Sequence, residues 1–211
     1  MRNAVRKENP DAAIAAVDAA IAQRPADAEL VLVKARLLFD LARYTAAIDA
    51  AATATTRAEE AQEQARDDAR AARRLDEPTD QEEAQAQAAQ AHDDARVHEA
   101  HARFLRAAAL RSAGRDAEAA DAFEETKLAF DQLAQQPPGQ NEAEQARAEL
   151  SALLHTAAIL RLQGHRESAA FQVRQIAAKF DNWEGKDDWI DLLTSDDAER
   201  RLYDAMGTGD Q

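Results

Sequence analysis

Cysteine is absent from the 211 residues, which removes disulfides, Cys-based zinc sites and thiol catalysis together. Glycine (6) and proline (5) are few and aromatics make up 5%, so turns and strands have little to be built from and a sheet of any size is excluded. No run approaches ~18 apolar residues, so no membrane-spanning helix is expected. No basic start leads into an apolar stretch, so the visible sequence reads as cytoplasmic; a periplasmic or envelope-attached location is the alternative if a leader precedes it. Positive charge is also short: 26 Lys and Arg face 40 Asp and Glu, a net charge of −14. That sign repels phosphate backbones and anionic lipid, so neither nucleic acid nor a membrane is an expected partner.

What the chain has instead is alanine, about a quarter of all residues, at helical spacing. An all-α protein follows. Pro10 opens a first helix and Pro25 ends it, with Ala13, Ile14, Val17, Ala20 and Ile21 on one face. A second helix runs from Ala26 to Leu41 and a third starts near Tyr44. Gly114, Pro137-Pro138-Gly139 and Gly164 separate later helices, with arms at Ala117–Gln135 and Asn141–Gln163. Two short segments follow, around Asp187–Leu193 and Ser195–Met206.

Three corners read alike, at Ala42, Gly114 and Gly164, each followed five residues later by an alanine (Ala47, Ala119, Ala169). The small turn residue permits a tight corner, and the alanine lets the second helix sit close to the first. Ala35, Ala42, Tyr44, Ala47 and Ile48 resemble the pattern of the tetratricopeptide repeat (TPR). Ala107, Gly114, Ala119 and Phe123 fit with Asp116 in place of the aromatic, and Ala157, Gly164, Ala169 and Val173 with Arg166 there. The first helix supplies only the second half of a unit. The resemblance implies a helical-hairpin repeat array, an α-solenoid, whose leading helices line a concave protein-binding surface.

The period departs from the family's. Ala13 to Ala47 is 34 residues, but Ala47 to Ala119 is 72 and Ala119 to Ala169 is 50. An extra degenerate repeat would need turns near Ala58–Ala61 and Val97–His101, where neither Gly nor Pro occurs. A long projecting antiparallel hairpin over residues 57–100, with its tip near 76–80, fits better. Alanines 51, 54, 58, 61, 65, 69 and 72 on the outgoing arm, and Ala84, Ala88, Ala91, Ala95, His98 and Ala102 on the return arm, form heptad-like seams. Pro78 stops one arm, and Thr79 with Glu82 forms a capping box for the next. The expected organisation is one helical repeat domain, 1–211: a half repeat plus a full repeat at 10–56, the hairpin at 57–100, two repeats at 101–180, and an acidic C-terminal cap at 181–211.

Signatures of chemistry are sparse. Asp94, His98 and His101 share a helical face, but a zinc site needs three or four converging ligands, so no metal is expected. His98 and His101 stand three apart, not at the metalloprotease spacing. The acid pairs Asp67-Asp68, Asp93-Asp94 and Asp187-Asp188 point about 100° apart on a helix, too divergent for paired acid–base work. No phosphate-binding glycine loop or nucleophile elbow occurs. No catalytic residue, cofactor or enzyme activity is therefore expected. Trp183 and Trp189 either anchor a partner or, with Ile190, Leu192, Leu193, Leu202 and Tyr203, cap the open end of the stack.

The expected function is a non-catalytic scaffold that binds a peptide or helix of a protein partner in the groove. By spacing from each turn, the inward positions are Glu29, Leu32, Arg36, Phe39 and Asp40; then His101, Phe104, Ala108 and Arg111; then Ser151, Leu154, Ala158 and Arg161. The carboxylate-clamp positions of one family subtype hold Leu32, Arg36, Leu105, Ser151 and His155, so that clamp is not expected. The alternatives are a homo-oligomer joined through residues 57–100 and a secretion-type chaperone holding partly unfolded clients.

Overall fold

The computed structural model describes residues 9–180, 183, 185–195 and 198–207. Among these the regular elements are nine α-helices, with no strand: α1 Pro10–Gln23, α2 Ala28–Asp40, α3 Tyr44–Ala72, α4 Pro78–Ser112, α5 Asp116–Gln135, α6 Glu142–Leu162, α7 Arg166–Lys179, α8 Lys186–Thr194 and α9 Ala198–Gly207. The all-α class is as the sequence implies. The chain divides into two compact units, Met1–Ala122 and Phe123–Gln211.

The three similar corners share one backbone geometry. At α2–α3, Ala42 has φ 56°, and at the two later corners Gly114 and Gly164 have φ 75° and 89°. At each, the N–H of this left-handed residue donates three residues back: Ala42 to Phe39, Gly114 to Arg111, Gly164 to Arg161. The next N–H donates five back: Arg43 to Leu38, Arg115 to Leu110, His165 to Leu160. This is the Schellman ending, which satisfies carbonyls that a helix end otherwise leaves open. The alanine five residues on is buried in every case (Ala47, Ala119, Ala169). The motif common to the three segments is thus a chain-reversal device: a left-handed small residue, then a buried methyl.

In the first unit the hairpin is formed by α3, 29 residues, and α4, 35 residues, with 73–77 as its turn. At ~1.5 Å per residue the arms are roughly 43 and 52 Å long. Near the base, Val31 of α2 packs with Ala54 of α3 and Ala102 of α4, with Ile21 and Leu32 against them. Farther out, the buried positions are almost all alanine: Ala58, Ala65 and Ala72 on one arm, Ala88 and Ala95 on the other.

The return-arm seam is rotated from the expected one. Ala88, Ala95 and Ala102, seven apart, are buried, whereas Ala91 is exposed and Ala84 and His98 are half-buried. The second stripe of that arm is polar: Gln85, His92 and Glu99, all half-buried. On the outgoing arm Gln62 is buried where Ala61 was expected. The expected capping box does not form either. Helix α4 begins one residue before Thr79, at Pro78, with Glu77 as an N-cap that makes no side-chain cap bond. Proline at the first helical position, with its φ already set, starts the helix without a side-chain acceptor.

In the second unit α6 pairs with α7 and both meet α8, while α9 packs on α6 and α8. Leu192 and Leu193 of α8 and Leu202 and Met206 of α9 are buried. Trp183 and Trp189 are half-buried. These two short helices cover the end of α6 as a cap.

Candidate functional site

The positions expected to line a groove fall into three groups, each with its own fate. On α2, Glu29 and Asp40 are exposed and Leu32 is half-buried against the hairpin base. Arg36 is folded onto its own helix, its Nε donating to Asp40 at 2.9 Å. Phe39 lies against Tyr44 with ring centroids 5.7 Å apart and planes at 59°. On α4, Phe104 and Ala108 are buried, at 1% and 0% exposure, and His101 and Arg111 are half-buried.

On α6, Leu154 and Ala158 are buried while Ser151 is exposed. Arg161 does not flank an open trough: its Nη2 donates to the Ser195 carbonyl at the end of α8, at 2.8 Å. Arg166 of α7 does the same to Thr194, also at 2.8 Å. Two guanidinium groups thus occupy the carbonyl end of α8, where cations are favoured. The physical reason for the departure is that spacing from a turn fixes which side of a helix a residue occupies, not what lies against that side. In the second unit it is the cap.

The centre of that covered face is His155. Its ring stacks on Phe130 of α5, with centroids 4.5 Å apart and planes at 17°. Trp189 of α8 is tilted against it at 6.5 Å. Nδ1 lies 2.7 Å from the Ser151 carbonyl. Burial pushes the imidazole below its ordinary pKa, and the backbones of Ser151 and Met206 act in the opposite sense. Beside it Thr156 donates to Asp131 of α5 at 3.1 Å, and Asp131 is held in turn by Lys127 at 2.8 Å.

Among the described residues no group of three or more His, Cys, Asp and Glu side chains is placed to hold a metal ion. His92, on the polar stripe of α4, is lowered in pKa by burial and by Arg66 and Arg96, with Asp93 opposing. No described helix is long and apolar enough to cross a membrane.

The large apolar side chains that do face solvent lie off the periodic faces. Phe171 on α7 is 63% exposed and Leu128 on α5 is 59% exposed; Leu75 at the hairpin turn and Val33 on α2 follow. An open depression formed by α6 and α7 is lined by Leu160, Glu167, Ser168, Phe171, Gln172 and Gln175. Phe171 falls between Ala169 and Val173, the two residues that mark the periodic face of α7. Phe171 stands two residues from each, about 200° round the helix from both, and so opposite the buried face. An off-period phenylalanine on an otherwise polar face was the available signal.

In comparisons with known proteins, no family model, no curated protein and no solved structure matches this chain.

Proposed function

We propose that this chain is a non-catalytic, TPR-like helical-hairpin protein that binds a protein partner. The three matched corners carry this reading, because the same reversal and the same buried alanine recur in segments of unequal length. Such hairpins serve as rigid supports for a recognition surface. The surface best suited to a partner is the outward side of α7, where Phe171 projects beside Leu160 with Glu167, Gln172 and Gln175 around it. An apolar anchor ringed by polar side chains suits an amphipathic helix or extended segment.

The test is affinity capture from the native source with wild-type protein, Phe171→Glu and Leu128→Glu. Loss of one defined partner with Phe171→Glu alone, at unchanged helicity, supports the reading. Capture that survives Phe171→Glu overturns this surface. Phe104 and Leu154 are unsuitable for that experiment, since both are buried and a charge there attacks folding.

Association of two copies through residues 57–100 is the weaker reading. The alanine seams that would supply its apolar face are already buried against one another within the chain.

A further inference from the structure

The outward side of α7 carries a charge order along its length. Phe171 stands at its middle, 63% exposed. Glu167 lies four residues before it and Arg174 three residues after it, both exposed. Steps of three and four place the two on one flank of the phenylalanine, about a turn to either side and roughly 10 Å apart along the axis. Among the described residues neither side chain makes an ion pair or a hydrogen bond. On the other flank is the open depression toward Leu160 of α6, edged by Ser168, Gln172 and Gln175.

A helix with an acid before its apolar anchor and a base after it is complementary to itself reversed. A two-fold axis beside Phe171, perpendicular to α7, sets a second copy of the helix antiparallel to the first, with the same flanks face to face. Glu167 of each copy then meets Arg174 of the other, and the two Phe171 rings come together beside the depressions. A parallel arrangement is disfavoured, because it sets Glu167 against Glu167 and Arg174 against Arg174. A partner helix of one sign matches only one of the two charges and repels the other.

We infer, on the reading that Phe171 marks the recognition surface, that its occupant is a second copy of this chain, docked α7 against α7 in antiparallel register. The alanine seams of the hairpin take no part and stay buried within each copy. The contact is small, one 14-residue helix with the edge of α6 from each copy. Association is therefore weak and reversible, with a dissociation constant on the order of 10–100 μM.

Sedimentation velocity of the full-length protein between about 5 and 500 μM reads the monomer–dimer equilibrium. Wild type associates and Phe171→Glu stays monomeric. Glu167→Arg or Arg174→Glu alone weakens association about 10-fold, because each puts two like-charged pairs at the contact. Glu167→Arg combined with Arg174→Glu restores it, since the exchanged charges meet again. All three positions are exposed, so helicity by circular dichroism is unchanged. A wild-type chain that stays monomeric throughout overturns the second copy as occupant. So does association that survives Phe171→Glu, or that the paired reversal fails to restore. Where wild type is monomeric, capture from the native source separates the two failures. A different protein lost with Phe171→Glu sinks the second copy alone, whereas capture indifferent to Phe171→Glu sinks the surface as well.

Discussion

Gln62 on α3 and Glu99 on α4 stand 37 residues apart in sequence and meet across the hairpin, the Gln62 Nε2 donating to Glu99 Oε2 at 2.5 Å. The contact continues toward the base of the hairpin: Arg103 donates to Glu99 at 2.8 Å and to Glu59 of the opposite arm at 3.1 Å. An alanine seam is nearly indifferent to a slip of one heptad, because alanine then replaces alanine. A polar pair in the seam is not indifferent, since a slipped register leaves a buried amide without its acceptor. The Gln62–Glu99 pair is therefore what sets the register of the two arms.

Glu99→Ala is expected to lower stability by about 1–3 kcal/mol, because the Gln62 amide stays buried with its acceptor removed. Gln62→Ala combined with Glu99→Ala recovers part of that loss. A urea-denaturation double-mutant cycle measures the coupling, and simple additivity would show that the pair does not act as a unit.

Ala95 and Ala91 separate the observed seam from the simpler one read along the sequence. Ala95 is 3% exposed, so Ala95→Leu forces the arms apart and costs about 1–3 kcal/mol. Ala91 is exposed, so Ala91→Leu changes stability by no more than ~0.5 kcal/mol. Thermal denaturation of the two variants, compared side by side, reads the difference.

Ala42 holds a left-handed φ of 56°, which glycine tolerates and alanine does not favour. Ala42→Gly is expected to stabilise the corner by about 1 kcal/mol, and Gly164→Ala to destabilise its counterpart by a similar amount. Opposite shifts in melting temperature are the required outcome.

Arg161→Met tests the docking of the cap independently of pH. Losing the charge-assisted bond to Ser195 is expected to speed exchange in α8 about tenfold at pH 7.5, equivalent to about 1.4 kcal/mol. Unchanged exchange would mean that Arg166 alone secures that end.

Linkage gives the pH dependence of overall stability its sign. His155 has a folded-state pKa below its ordinary value of 6.5, so around that pH the unfolded chain binds more protons than the folded one. Its contribution to stability is complete above about pH 6.5 and is lost progressively as pH falls below it. The measurement is urea midpoints at pH 7.5 and 5.5 for wild type and His155→Gln, with the larger fall in wild type.

Much of the local structure was legible in sequence because it rests on local physics. Pro10 at the start of α1 and the glycines at two corners act through backbone geometry within a few residues. The long hairpin was legible for a similar reason: its alanines recur at helical spacing with only one break, at the tip. Which alanines face the seam was not legible. Ala91 and Ala95 are equivalent by composition, and only the packing of the two arms, in which Gln62 meets Glu99 and Ala102 meets Ala54, leaves one exposed and buries the other.

The same division holds at the candidate sites. The sequence determined by itself that the protein is helical, where its helices start and reverse, and that the last short helices carry an apolar face. Tertiary packing decided which side of α6 those helices would cover, that Arg161 would end on a carbonyl of α8, and that His155 would be shut away from water between Phe130 and Trp189. Helix boundaries follow from interactions a few residues long. The covering of a helix face depends on chain segments dozens of residues away, whose arrival leaves no periodic mark on the helix they bury.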